Sequence, residues 1–494
     1  MPLPDNPQSA WPPVKWQPYA ADVTEAEAWY SGETAKLEAV YGGTAKDPVR
    51  RVKFWTRRSN DNSRRPQHRV HVPAAADIAA TGADLLFGDP FTLACDNDTT
   101  SEHLAELTEQ MGLTNTLLEA AEIASGMGGV YLRPTWDLEV AGHPFLSTVH
   151  PDRAVPEFRW GQLVAVTFWA VVEDTGTKVL RHLERHEPGV VAHGLYSGTK
   201  HTLGRRIPLE DHADTAAFAG PNGDGVIDLA AAYGIEHTIA RYVPNVLPNR
   251  RRRGQPIGRS DTSGLEALMD GLDETMTAWV REIRLGKLRL VVPDEFLQRR
   301  SRGSGAEFDT DTEIYSPLNM DPASRDGSGI EAVQFTLRTT EYADTCRALF
   351  EQIVSSAGYS PQSFGMHGDG GTQTATEVDA RESKSERTTD RKRRYWAPQL
   401  TAAAEDLLAI DRVEFTSGVE VERPRIEWPD LSRPDIRDTA SALNLINLAQ
   451  SASIETRVRL LNPDLGPEEV DAEVGRIRDE LGLTVGDPTG GLLT

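Results

Sequence analysis

Apolar residues change period several times along this chain, and each change marks an element. Leu113, Leu117, Ala120, Ala121 and Ala124 recur at three-to-four spacing, which predicts an amphipathic helix. Gly126 and Gly128-Gly129 end it before an extended run, Val130-Tyr131-Leu132. From position 143 to about 197 the period drops to two: Val164, Val166, Phe168, Ala170 and Val172 occupy every second position, with Pro151, Gly161, Gly176 and Gly189 between runs. An antiparallel sheet is expected there. Leu265, Leu268, Met269, Leu272, Met276, Val280 and Ile283 then form a helical stripe, with Asp261 or Ser263 as the cap and the end near Gly286. Residues 288–292 read as a strand, and residues 298–329, rich in Gly, Ser, Asp and Arg, as exposed loops around one short strand. A second long helix carries Tyr342, Cys346, Leu349, Phe350 and Ile353 and stops at Gly358, so two helices bracket a small β-rich insertion.

Periodicity then disappears. Residues 360–374 are a Gly-rich loop without apolar spacing, and residues 379–394 hold no Leu, Ile, Val, Met or aromatic side chain. Glu377 with Arg381 and Asp390 with Arg394 still stand at i,i+4 spacing, a pairing that supports a helix by about 0.2–0.5 kcal/mol each. A helix with no apolar face must be solvated or packed against polar neighbours, other copies of the chain included. Its candidate interface residues are Glu377, Arg381, Arg387, Asp390 and Arg394. Apolar anchors return at Tyr395, Trp396, Leu400, Leu407 and Leu408. At the other end, Trp11, Trp16, Tyr19, Trp29 and Tyr30 among prolines suggest an arm that anchors on another surface, with a helix starting near Asp22 or Thr24. Beyond Pro434, a stripe of Ile436, Ala440, Leu443 and Ile446 is followed by Ile454, Val458 and Leu461; Pro467 opens a last helix with Val470, Val474, Ile477 and Leu481 on one face.

A length of 494 residues exceeds one ordinary core, so two or more packed units are expected. No window approaches the roughly 20 apolar residues of a membrane span, and the N-terminus lacks a signal-peptide pattern. Cys95 and Cys346 stand far apart without metal-ligand spacing and read as small core residues of a reducing compartment. With 75 acidic against 52 basic residues the formal charge is −23, which argues against tight duplex binding, since affinity for phosphates comes from Lys and Arg. Basic clusters at Arg57-Arg58, Arg64-Arg65, 250–253, 299–302 and 391–394 read as solvated faces or loop tips. His182, His186, His193 and His201 fall in different segments without a supporting carboxylate and read as structural. The GMGG at 126–129 follows a helix and lacks GK[ST], so it is not a nucleotide loop. Catalytic signatures such as HExxH and GxSxG are absent, and nothing calls for a cofactor or metal. The rival readings are a metal-dependent nuclease built from carboxylates in distant segments, with Asp369 and His367 the least implausible local pair, and a non-viral scaffold.

Several phrases in order, VHVPAAADIAA at 70–80, LLFGDP at 85–90, HLERHEPG at 182–189, LGRRIPL at 203–209, GKLRLVVP at 286–293, TATE at 374–377 and SIET at 453–456, resemble portal proteins of tailed siphophages that infect actinobacteria. The resemblance implies an α+β portal-protein fold of long helices plus antiparallel sheet, with wing, stem, clip and crown. Residues 1–263 would be N-terminal arm and wing, 264–286 and 337–358 the stem helices, 287–336 the clip, 359–375 the tunnel loop, 376–430 a long helix and wing return, and 431–494 the crown. It implies a non-enzymatic ring of twelve subunits at one capsid vertex of the virion, assembled in the host cytoplasm. Double-stranded DNA would pass through it, and the terminase large subunit, head-completion or adaptor proteins and the major capsid protein would be its partners, with no membrane. Gln362, Ser363, His367, Asp369, Thr372 and Gln373 would line the channel, a set without a basic ring.

Overall fold

The computed structural model describes residues 3–41, 69–220, 223–285, 289–291, 331–333, 337–366, 375–429, 452–461 and 466–480. The chain divides into two units, residues 1–368 with 382–427, and residues 369–381 with 428–494.

The first unit begins with an arm that packs on the chain's own sheet: Leu3 and Trp11 are buried with Leu183, Tyr196 and Leu203, and Trp11 meets Trp169 edge to face. Its aromatics find their surface within the chain. Helix α1, Gln17–Ser31, starts well before the Asp22 or Thr24 expected, because Pro18 suits a first turn whose N–H groups have no helical partner. Then come α2 (Thr34–Tyr41), α3 (Ala74–Phe87), β1 (Thr92–Ala94), α4 (Asp98–Gln110) and α5 (Leu113–Met127). Gly128 closes α5 with φ +98°, and a Cβ there would lie 3.0 Å from the backbone at Arg259 and Ser260. The glycine run is therefore a packing requirement, and the chain turns straight into a strand.

The alternating region forms two antiparallel sheets. Strands β2 (Gly129–Thr135), β3 (Phe145–Val149) and β10 (Arg241–Pro244) make one, in the order β10-β2-β3. The larger sheet runs β4 (Ala154–Arg159), β5 (Gln162–Asp174), β6 (Val179–Glu187), β7 (Val190–Gly198) and β8 (Arg205–Ile207), with β9 (Val226–Asp228) also pairing β7. Short helices α6 (Ala213–Ala216) and α7 (Leu229–Tyr233) flank β9.

Helices α8 (Glu266–Leu285) and α9 (Thr339–Ala357) follow, with β11 (Arg289–Val291) and β12 (Glu331–Val333) pairing antiparallel between them. Where they enter the body, Met269 and Leu272 of α8 and Cys346, Ile353 and Val354 of α9 join Ala28, Trp29, Leu37 and Ile78 in one core. Farther out the stripe loses cover: Trp279 stacks on Tyr342 at 6.2 Å, Arg338 bonds Glu282 at 2.8 Å, and Ile283 is 45% exposed. Residues 382–414 of the long helix α10, Ala375–Glu414, complete the unit, with β13 (Arg425–Glu427) pairing β1. Trp396, Leu400, Leu407 and Leu408 are buried as their spacing predicts. Both cysteines are buried and free.

In the second unit, α11 (Ile454–Leu461) and α12 (Pro467–Glu480) bury Val458 against Val470 and Val474, with Ile454 and Ile477 beside them. Leu461, placed on the same stripe by its spacing, is exposed, being the last residue of its helix. The 436–446 stripe, Leu481, the loops of 298–329 and the basic clusters at 57–65 and 299–302 lie outside the described residues. Among the described residues no helix is long and apolar enough to cross a membrane.

Candidate functional site

The apolar gap in α10 is filled by hydrogen bonds. Its residues Lys384, Ser385, Thr388 and Lys392 follow one another at helical spacing, and each bonds the C-terminal end of α9 or the chain just beyond it. Lys384 donates to the Ser355 carbonyl at 2.6 Å, and Thr388 Oγ1 to the Gly358 carbonyl at 2.7 Å. The last carbonyls of a helix lack internal partners and carry partial negative charge, so a lysine and a hydroxyl satisfy both needs. Ser385 Oγ accepts from the Ser360 N–H at 2.8 Å and lies 2.9 Å from Ser363 Oγ.

Below these contacts, Lys392 Nζ donates to Asp261 Oδ2 at 2.6 Å and to Tyr359 Oη at 2.8 Å, while Tyr359 Oη donates to the same carboxylate at 2.9 Å. Ser125 Oγ and Asn245 Nδ2 complete the shell at 2.5 and 2.9 Å. Lys392 and Asp261 are both buried. Burial depresses the lysine, offset by the adjacent carboxylate; burial would raise Asp261, but the ammonium and the donors around it hold it below the usual carboxylate range. Geometry favours the charged pair at neutral pH, since four donors converge on the carboxylate. The network ties α5, the strand end after β10, the approach to α8, the exit from α9 and α10 together. Even α3 is shaped to it: a Cβ on Gly82 would lie 2.5 Å from Tyr359 Oη. Asp261 is therefore the centre of a buried network, and not the α8 cap its position suggested.

Gln362 and Ser363 lie in the 3₁₀ turn Pro361–Phe364, half-buried, at the base of the Gly-rich loop. His367, Asp369, Thr372 and Gln373 lie outside the described residues. Glu377 and Arg381 fall in the first turns of α10, with their side chains outside the description. Arg387, Asp390 and Arg394 are exposed on the face away from the network. Asp390 approaches Arg393 at 3.9 Å, so its neighbour is three residues on and not the Arg394 expected. Of the 250–253 cluster, Arg251 pairs with Glu25 at 3.0 Å and Arg252 with Asp22 at 2.7 Å, which makes these two internal ties.

Strand register assembles a second cluster that the sequence reading kept apart. Because β6 and β7 pair antiparallel with Glu184 opposite His193, the His182 and His193 rings stack at 5.2 Å, Nε2 to Nδ1 3.1 Å, with Phe218 on His193 at 4.6 Å. A carboxylate is present after all: Glu184 is hydrogen-bonded by Arg133 and by His186, the latter at 2.7 Å. Burial opposes its charge, yet these partners hold it well below the usual range. Among the described residues no group of three or more His, Cys, Asp or Glu side chains is arranged to hold a metal ion.

His193 is pushed down to about 4, chiefly by burial. An unfolded histidine titrates near 6.5, so between about pH 6.5 and 4 the unfolded chain binds the extra proton and stability falls as pH falls. His193→Gln should flatten the melting temperature across that window. Equal slopes for variant and parent would refute this assignment.

The phage portal protein family described as SPP1 Gp6-like matches residues 15–481. Among solved structures, a chain of the neck of the native GTA particle computed with C12 symmetry is 13% identical, with 79% of this chain and 90% of that chain covered and a TM-score of 0.39. A chain of the neck of the empty GTA particle computed with C6 symmetry is 12% identical over the same shares, TM-score 0.41. A search of curated proteins returns no match. The family match runs from the arm to the last helix, through both sheets, the α8–α9 pair and the polar junction on α10, and the chain belongs to the SPP1 Gp6-like phage portal proteins.

Proposed function

We propose that twelve copies of this chain close a ring at one vertex of the capsid, forming the conduit through which double-stranded DNA is packaged and ejected. The observation that carries this reading is family membership over almost the whole chain. In it, α8 and α9 are the stem, residues 287–336 the clip that meets the terminase large subunit and the head-completion or adaptor proteins, residues 359–375 the tunnel loop, and residues 431–494 the crown. The major capsid protein surrounds the ring. Gln362 and Ser363 sit at the base of the tunnel loop, with His367, Asp369, Thr372 and Gln373 in the loop itself.

Physical chemistry supports the role. A duplex that must slide needs a wall with low phosphate affinity, and −23 charges per copy repel phosphates. The stripe on α8 whose cover fades toward Ile283 suits a helix whose outer part meets neighbouring copies. Electron microscopy of the purified, concentrated chain should show rings with a central channel and about twelvefold symmetry. Smaller discrete particles at every concentration, in the presence of capsid protein as well as alone, would contradict the reading.

A further inference from the structure

Two helices expose charged stripes of opposite sign. On α10, Arg387, Arg391 and Arg394 are all exposed, and at 3.6 residues per turn they lie within about 60° of one another. None has an ion-pair partner among the described residues, and the nearby Asp390 is turned to Arg393. Arg391 adds repulsion to the burial that already depresses Lys392 and Arg259, and Asp261 opposes it in both. On α4, Thr100, Leu104 and Leu107 are buried while Asp98, Glu102, Glu106 and Glu109 are exposed within about 80°. These carboxylates likewise have no ion-pair partner among the described residues.

The stripes do not meet within one copy. His103 of α4 bonds Asp411 at 2.7 Å, and Thr100 Oγ1 reaches the Glu420 carbonyl at 3.5 Å, which fixes α4 beside the C-terminal end of α10. Arg391 stands twenty residues back along that helix, about 30 Å at 1.5 Å per residue. Spacing along the two stripes is alike, with Arg387 to Arg391 and Glu102 to Glu106 each one turn. A basic stripe and an acidic stripe on different parts of one chain are the ingredients of a head-to-tail contact, which closes a ring when its rotation permits. Charged surfaces of this kind set register and encounter rate more than bulk affinity.

We infer that the exposed arginine face of α10, Arg387 with Arg391 and Arg394, docks on the Asp98–Glu109 stripe of α4 in a second copy of this chain. The inference rests on the ring reading and adds to it the two surfaces that meet. Duplex DNA is the other partner that an arginine stripe suits, and the test separates the two.

Two variants of the full chain are compared with the parent by sedimentation at several salt concentrations: Arg387→Glu/Arg391→Glu/Arg394→Glu, and Glu102→Lys/Glu106→Lys/Glu109→Lys. All six positions are exposed, so melting temperatures should stay near the parent's. Each variant alone should need at least about tenfold more protein to assemble, since three exposed pairs are lost and like charges face each other. An equimolar mixture should assemble at a concentration near the parent's, because α10 of each variant now complements α4 of the other. Should three reversals unfold the chain, Arg391→Glu with Glu106→Lys carries the same comparison. A mixture that assembles no better than its components overturns the contact. An arginine variant that assembles as the parent does but loses binding to a labelled 30-base-pair duplex overturns it in favour of DNA. A parent that forms no oligomer under any condition overturns the ring reading and this contact with it, whereas parent rings indifferent to both variants overturn the contact alone.

Discussion

Lys392→Met should destabilise the fold by about 3–5 kcal/mol, read as a lower urea midpoint with an unchanged slope. Lys392 and Asp261 are both buried, with Nζ 2.6 Å from the carboxylate, so removing the ammonium leaves a charged group in a low-dielectric interior. Ser125, Asn245 and Tyr359 would still donate to Asp261, which places the loss below that of a bare buried charge. Adding Asp261→Asn to Lys392→Met should recover part of the loss, because the second change removes the orphaned charge and neighbouring residues do not add independently. The pair also ties stability to pH. Asp261 is held below its unfolded value near 3.9, so its contribution is present above that value and fades as pH falls through the folded one. In Lys392→Met that acid-side decline should shrink, since the ammonium holding the carboxylate down is gone. A variant with the parent's midpoint and pH profile would mean that the buried pair is not what joins α10 to the approach to α8.

This network also shows where sequence reading succeeds and where it stops. Apolar stripes announced α5, α8, α9 and the second half of α10, because burial of side chains on one face leaves a period. Hydrogen-bond complementarity leaves none: Lys384, Ser385, Thr388 and Lys392 look like any solvated helix until the end of α9 is set beside them. Asp261 was legible as a polar residue ahead of a helix, and the fold spent it on partners 136 and 131 positions away in Ser125 and Lys392. His182 and His193 were visible individually, but a one-residue change in the β6–β7 register would have turned one of them to the other face. The N-terminal aromatics carried the opposite lesson. Their pattern called for a surface to anchor on, and no local signal distinguishes the chain's own sheet from a neighbour's. Family resemblance supplied what periodicity lacked, and the match over residues 15–481 bears it out.

Leu272→Asp is expected to be at least as damaging, about 4 kcal/mol or more, and to leave little folded protein at 37 °C. Leu272 is 2% exposed and packs in the core shared by α1, α2, α3, α8 and α9. Losing a buried leucine costs about 2–5 kcal/mol even when alanine replaces it, and a carboxylate adds its own desolvation. The side chain must then either protonate or pull α8 away from the body. Ile283→Asp is the matched control, since Ile283 belongs to the same stripe at its 45% exposed end and should change stability by no more than about 0.5 kcal/mol. The gradient between these two positions separates the packing of α8 within one copy from any contact it makes with another. If Leu272→Asp melted with the parent while Ile283→Asp did not, α8 would have its buried and exposed ends reversed, and the assignment of its inner half to the monomer core would fall.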